Sequence, residues 1–178
     1  DDFEDDDDFD EDKDDEQEQR PRSRQPEEEK IERIAQSASY FVQTGEVEQG
    51  LNLLRTLLKN HPANAFIRYR LASYLLDYAK QPEEAHRQLE TLLSYDPGYA
   101  PAYVRLAEIA EQEEDHLLAK NYLEKARELD PHYPEIDYRL GLLTQMHFPD
   151  NHEEILQYFK RAVKADKQNV DANKKKKH

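Results

Sequence analysis

A four-residue segment recurs along the chain about every 34 residues: YRLA at 69–72, VRLA at 104–107 and YRLG at 138–141. A series of small residues keeps the same register, at intervals of 34, 35 and 34 residues: Ala38, Ala72, Ala107 and Gly141. A fixed period of this size is typical of solenoids, in which each repeat is one structural unit that stacks on its neighbours. The 178 residues therefore have room for about four such units.

Each unit is predicted to contain two antiparallel helices. Apolar residues within each half-unit recur with helical spacing, and no stretch alternates with the two-residue period of a strand. Pro62, Pro97 and Pro131 follow the second half-units, where proline ends a helix because it lacks an N–H group and restricts the residue before it. Gly45 suits a left-handed turn between the first two helices.

The third unit closely resembles the tetratricopeptide repeat. Its bulky, small and terminating residues match that family's pattern at Tyr103, Leu106, Ala107, Ala119, Leu123, Ala126 and Pro131. The resemblance implies an all-α fold, a right-handed superhelical solenoid of about four antiparallel helix pairs. It also implies that the first helix of each pair lines a concave groove, which is where members of the family commonly bind their ligands.

The resemblance covers residues 31–169, divided into units 31–64, 65–99, 100–133 and 134–169. The second unit has one extra residue before Pro82, and the fourth has about two extra residues within the segment 146–151. An irregular turn between the helices is therefore expected in the fourth unit. Residues 170–178 are predicted to be the start of a truncated fifth unit followed by a lysine tail. We expect the natural chain to continue, although a basic tail with its own binding role is an alternative.

Residues 1–30 form a predicted disordered acidic arm and linker. Positions 1–19 contain fourteen acidic side chains and one lysine, so they hold −13 of the total net charge of −15. Such a stretch has too little apolar surface to offset the loss of chain entropy on folding. The arm is either a solvated spacer or a binding motif built on Phe3 and Phe9, two aromatic residues surrounded by carboxylates.

No catalytic or cofactor chemistry is predicted. The four glycines cannot form a phosphate-binding or dinucleotide-binding loop, and the chain has no cysteine for a disulfide or a thiolate metal site. His147, Asp150 and His152 lie near one another in sequence, but exposed turn residues are the favoured interpretation over a metal site. We therefore expect no enzyme, no metal and no cofactor.

The compartment is left open by the sequence. No apolar run approaches the length of a membrane span, and no signal-peptide core is present. We expect a soluble protein that does not bind nucleic acid. The cytoplasm is favoured slightly over a periplasmic or membrane-tethered location.

Three arginines are predicted to form a ladder in the groove: Arg70, Arg105 and Arg139. They occupy the same first-helix position in successive units, and a guanidinium binds carboxylates bidentately. With apolar contacts from Phe66, Tyr69 and Tyr138, the ladder suits an acidic peptide. The alternative is that nearby carboxylates neutralise the arginines as salt bridges between helices: Asp77, Glu108, Glu111 and Glu135. Both interpretations stay open at this stage.

The predicted function is a non-enzymatic scaffold that binds a partner peptide or helix in the concave groove. The acidic arm is a candidate competitor for the same groove. One subgroup of the family holds the C-terminal carboxylate of chaperones with lysine and asparagine, but the corresponding positions here are Ala35 and Ser39. The alternatives are a structural segment of a longer solenoid in a multiprotein assembly, and a binder of basic partners through the acidic arm.

Overall fold

The computed structural model describes residues 26–133 and 135–175, a part of the chain that is built from eight α-helices and contains no strand. The helices are α1 Pro26–Gln43, α2 Val47–Asn60, α3 Ala65–Tyr74, α4 Pro82–Tyr95, α5 Ala100–Gln112, α6 His116–Leu129, α7 Ile136–His147 and α8 His152–Lys175. Consecutive helices form antiparallel pairs, and each pair packs on the next. The predicted all-α solenoid is confirmed. We call α1, α3, α5 and α7 the first helices, and their partners the second helices.

Close contact between the two helices of a unit depends on the small residues of the repeat. Ala38, Ala72 and Ala107 have no exposed surface, and Gly141 is buried. At Gly141 a β-carbon would lie 2.7 Å from the ring of Phe159. On the opposite helix of the first unit, a β-carbon at Gly50 would lie 2.7 Å from the carbonyl oxygen of Ala38. The backbones therefore approach to a distance that a larger side chain would prevent.

The core continues from unit to unit. The first helix of each later unit inserts an apolar stripe, spaced i, i+4 and i+7, into the core of the unit before it. These stripes are Ile67, Leu71 and Tyr74 in α3, Ala102, Leu106 and Ile109 in α5, and Ile136, Leu140 and Leu143 in α7. Stability therefore comes from the contacts between units as well as from those within them.

The extra residue of the second unit is accommodated in a π-helical turn, Leu75–Ala79, which extends α3. A π-helical turn holds one more residue than an α-helical turn, so the helix can continue to the next unit without losing its register. The turn ends at Lys80, which has a left-handed backbone with a φ of 56°. Gly45 has a φ of 93°, as predicted for the first inter-helix turn.

The ends of the solenoid differ from the predicted boundaries. Helix α1 begins at Pro26, five residues before the predicted start of the first unit. Proline suits the first position of a helix, and three acidic residues follow it at 27–29, where they interact favourably with the helix dipole. Helix α8 continues to Lys175, so the predicted boundary at 169 lies within a helix. The acidic arm, with Phe3 and Phe9, lies outside the described residues.

Candidate binding groove

Each of the three ladder arginines reaches back to the first helix of the preceding unit. Arg70 of α3 contacts α1, Arg105 of α5 contacts the π-helical turn that extends α3, and Arg139 of α7 contacts α5. All three side chains point toward the preceding unit because they occupy the same position in their repeats. The ladder therefore connects neighbouring units along the first helices.

Arg105 and Arg139 are both paired with carboxylates. The two terminal nitrogens of Arg105 donate to the two carboxylate oxygens of Asp77, at 3.1 and 3.0 Å, and one of them also donates to Glu108 at 2.8 Å. Arg139 donates to Glu108 at 3.2 Å and to Glu111 at 3.1 Å. Glu108 thus accepts from both arginines. We call these five residues the charge chain.

The carboxylates of the charge chain favour the ionised form of Arg105. Burial by itself would lower the pKa of Arg105, but its hydrogen bond to Glu108 and the charges of Glu108 and Asp77 outweigh burial, so the pKa is raised. Most of the Arg105 side chain is covered. An incoming carboxylate would have to displace Asp77 or Glu108 to bind this guanidinium bidentately.

Arg70 has a different environment. One of its terminal nitrogens donates to the carbonyl oxygen of Ala35 at 3.2 Å and to the hydroxyl oxygen of Ser39 at 3.1 Å. The guanidinium carbon lies 4.5 Å from the centre of the Phe66 ring. These partners are all neutral, and no carboxylate in the described part of the chain lies within salt-bridge distance of Arg70. Among the described residues, Arg70 is therefore the ladder arginine that no carboxylate neutralises.

Ser39 fixes the position of Arg70. Its hydroxyl donates to the carbonyl oxygen of Ala35 at 3.0 Å and accepts a hydrogen bond from the hydroxyl of Tyr74 at 2.7 Å. Ala35 is fully buried. The positions that hold lysine and asparagine in the chaperone-binding subgroup are therefore engaged in contacts between the first two units.

Tyrosines lie beside the charge chain. The rings of Tyr69 and Tyr99 are 5.4 Å apart between centroids. Burial, followed by the neighbouring Tyr69, raises the pKa of both Tyr99 and Tyr133, so both phenols stay protonated and able to donate hydrogen bonds at neutral pH. Sequence reasoning missed Tyr99 and Tyr133, although they are 34 residues apart and precede two first helices.

Two of the predicted aromatic residues are accessible. Phe66 and Tyr138 each expose about half of their surface, at 46% and 51%. Phe66 lies against Arg70, whereas Tyr138 lies two units away and contacts Phe159 of α8, with ring centroids 6.1 Å apart. The structure thus brings Phe66 and Arg70 together and leaves Tyr138 at the far end of the groove.

The histidine cluster of the fourth unit is not arranged as a metal site. His147 stacks on His116 with ring centroids 3.4 Å apart. Within residues 26–133 and 135–175, no three histidine or acidic side chains are grouped so that they can hold a metal ion. None of the helices described has both the length and the apolar character that crossing a membrane requires.

Comparisons with known proteins agree with this architecture. The family model for the tetratricopeptide repeat matches residues 100–133, which is the third unit. Residues 100–133 are therefore identified as a tetratricopeptide repeat. A solved structure of MamA from Desulfovibrio magneticus RS-1, residues 41 to the end, superimposes with a TM-score of 0.63 at 23% identity and covers 77% of this chain and 76% of that chain. A MamA RS-1 double mutant gives a TM-score of 0.64 at 22% identity, over 78% of this chain and 76% of that chain.

A second group of similar structures includes a peptide complex. The first tetratricopeptide-repeat domain of Spaghetti (RPAP3), bound to an HSP90 peptide of sequence SRMEEVD, has a TM-score of 0.59 at 18% identity. The match covers 66% of this chain and 93% of that chain. At these identities the similarity concerns the fold alone. The search of curated proteins found no match.

Proposed function

We propose that this protein is a non-catalytic scaffold that binds an extended partner peptide along its concave groove. The single observation that carries the proposal is the difference between the ladder arginines. Arg105 and Arg139 are paired with carboxylates, whereas Arg70 is held by neutral groups beside the half-exposed Phe66. An acidic side chain of the ligand would complete the coordination of Arg70 without displacing any carboxylate of this chain.

The apolar part of the ligand has a separate place to bind. Phe66 offers an exposed aromatic face next to Arg70, and Tyr138 offers another at the other end of the groove. The charge chain lies between them, and its three carboxylates exceed its two arginines by one negative charge. The preferred ligand is therefore a peptide with one carboxylate near its anchoring apolar residue, rather than a uniformly acidic peptide.

The peptide complex of the RPAP3 domain supports this proposal by analogy of fold, since the peptide SRMEEVD carries three carboxylate side chains. The analogy does not extend to the chaperone clamp. Ala35 is buried and Ser39 is engaged by Arg70 and Tyr74, so neither can act as the lysine or asparagine of that clamp.

The proposal is tested by selecting peptides from a random displayed library on the full chain, and measuring their affinity by fluorescence anisotropy. Arg70→Ala is expected to weaken binding of the selected peptides roughly tenfold, because a hydrogen bond to a charged group contributes about 1.5–3 kcal/mol. Arg105→Ala is the matched control and should change affinity less than about threefold. Equal losses in the two variants, or none in Arg70→Ala, would reject Arg70 as the anchor.

The acidic arm is a proposed internal competitor for the same site. It joins α1 at Pro26, and Ala35, which contacts Arg70, lies nine residues further along that helix. At 1.5 Å per residue, the arm needs to turn back by only about 14 Å to reach Arg70. A tethered segment of this kind can have a millimolar effective concentration. Deleting residues 1–19 should then raise peptide affinity at low salt, and an unchanged affinity would rule out competition.

A further inference from the structure

The two ends of the solenoid have opposite characters, which a simple repeat would not produce. In α3, α5 and α7 the stripe that faces the preceding unit is apolar and largely buried, as in Ile136 and Leu140 of α7. The same positions of α1, the first helix of the described residues, hold Arg33, Ser37 and Tyr40, all exposed. This N-terminal edge is therefore mostly polar and is finished as a surface that faces water.

The opposite edge, formed by α7 and α8, does not have such a polar surface. Helices α6 and α8 both begin at a histidine, so their residues correspond at an offset of 36. At the two outward-facing positions where α6 has Lys120 and Arg127, α8 has Leu156 and Val163. Lys120 and Arg127 contact the fourth unit, and the Lys120 side chain is only 12% exposed. Leu156 and Val163 are 53% and 56% exposed.

The first helix of the last unit, α7, also lacks charged residues that the earlier first helices have. The carboxylates that receive arginines from the following unit are Asp77, Glu108 and Glu111. Asp77 and Glu111 both lie 28 residues before the arginine that they accept from, and α7 has Gln145 at that position. At the position of Glu108, α7 has Leu142. The carboxylates are therefore replaced by uncharged residues, and Met146, next to Gln145, is 71% exposed.

A cavity opens at the same edge. It has a volume of about 410 Å³ and lies between the start of α7 and the later part of α8. Its lining includes Tyr133, Tyr138 and Val163. We call the surface made by Leu142, Met146, Leu156 and Val163 the C-terminal edge. A partly apolar cavity beside exposed apolar side chains is typical of a surface that an anchoring residue of another molecule fills.

Two observations disfavour a further unit of the same repeat as the occupant of this edge. The ladder arginine of such a unit would lie against the positions of α7 described above, which hold no carboxylate. In addition, α8 continues as a helix to Lys175, past Asp166, which corresponds to the residue Asp130 that caps the end of α6. The chain following Asp166 thus does not turn back over the edge in the described residues.

We propose that the C-terminal edge is a dimer interface, at which two copies of this chain pair edge to edge about a two-fold axis. A two-fold contact joins the same surface on both partners, so an apolar edge covers its own copy and the assembly stops at two. Residues 135–167 carry six acidic and five basic side chains, so the last unit is nearly neutral and does not repel itself.

The acidic arms favour the same arrangement. In each copy, residues 1–25 carry a net charge of −10 and join the solenoid at Pro26, on the N-terminal edge. Pairing through the C-terminal edges keeps the two attachment points at the outer ends of the dimer. Pairing through the N-terminal edges would bring the like charges together, at a cost that grows as the salt concentration falls.

The test measures the mass of the full chain by sedimentation velocity from about 1 to 100 µM. The variant Leu156→Lys/Val163→Arg gives the last unit the residues that the third unit has at these positions. We expect the wild-type protein to be a dimer, and the variant to dissociate at least about a hundredfold more readily. Tyr40→Lys, at the opposite edge and 64% exposed in the wild type, should leave the dimer intact.

The dimer should also persist at about 1 M salt, because an apolar contact is not screened. A second variant, Leu142→Gln/Met146→Gln, adds no charge and should also weaken the dimer. It is the variant used if circular dichroism shows that Leu156→Lys/Val163→Arg is unfolded. A monomeric wild-type protein at the highest concentration, growth beyond two copies, or a dimer kept in both folded edge variants would overturn the proposal, as would a dimer lost in Tyr40→Lys.

Discussion

Breaking the contact between Arg105 and Asp77 should weaken the junction between the second and third units by about 1 kcal/mol. The pair is bidentate, with both nitrogen–oxygen distances close to 3 Å, and it joins α5 to the π-helical turn of the unit before. At an effective dielectric constant of about 20, two unit charges about 4 Å apart attract each other by about 4 kcal/mol. Desolvation and side-chain ordering offset most of this, and measured exposed pairs give about 0.2–1 kcal/mol.

The Arg105–Asp77 value lies at the upper end of that range for a structural reason. Both nitrogens of the fork are used, and Arg105 is also held by Glu108, so its geometry is already fixed when Asp77 binds. The measurement is a double-mutant cycle of Arg105→Ala and Asp77→Ala, in which the free energy of unfolding comes from urea denaturation followed by circular dichroism. The coupling energy should fall by half or more at about 1 M salt.

A matched control is available in the pair Lys125 and Glu128. They are 3.1 Å apart, three residues apart on α6, and both are largely exposed. Their coupling should be no more than about 0.5 kcal/mol. A coupling for Arg105 and Asp77 that does not exceed this control value at low salt would refute the view that the ladder arginines clamp neighbouring units.

Two other perturbations test the packing and the charges of the solenoid. Gly50→Ala should lower the free energy of unfolding by about 1–3 kcal/mol, despite the better helix propensity of alanine, since the new methyl group would overlap a backbone oxygen of α1. Gly141→Ala should cost less because the obstacle is the ring of Phe159, and equal thermal stability of Gly50→Ala and wild type would contradict the packing. The hydrogen bond from Lys120 lowers the pKa of Glu154, so this carboxylate stabilises the fold above its unfolded pKa of about 4.3, and the stabilisation is lost as the pH falls through the lower folded pKa. Urea denaturation of Glu154→Gln across this range should show a weaker loss of stability on acidification than wild type, and identical slopes would exclude the contribution.

Much of the fold could be predicted from the sequence because the repeat imposes the same packing problem four times. The register of Ala38, Ala72, Ala107 and Gly141 correctly marked where the paired helices approach each other. The extra residue of the second unit was also visible in the sequence. Its place in a π-helical turn was not, because an inserted residue can be accommodated at any turn of a helix or in the loop that follows.

The groove was predictable only in part. Three of the four carboxylates predicted to form salt bridges with the ladder arginines do so, with Arg105 and Arg139: Asp77, Glu108 and Glu111. Which arginine each carboxylate joins could not be predicted, since that depends on the stagger between units. The neutral surroundings of Arg70 reflect the residue at one position: Ser39 lies 31 residues before Arg70, whereas Glu108 lies 31 residues before Arg139.

The measurement that tests the central claim most directly is an NMR titration of the isotopically labelled protein with a selected peptide. If the concave groove is the recognition surface, the largest amide shift changes should follow α3, α5 and α7, with a maximum around Phe66 and Arg70. Changes confined to the second helices, or to α8, would contradict the groove as the site of binding.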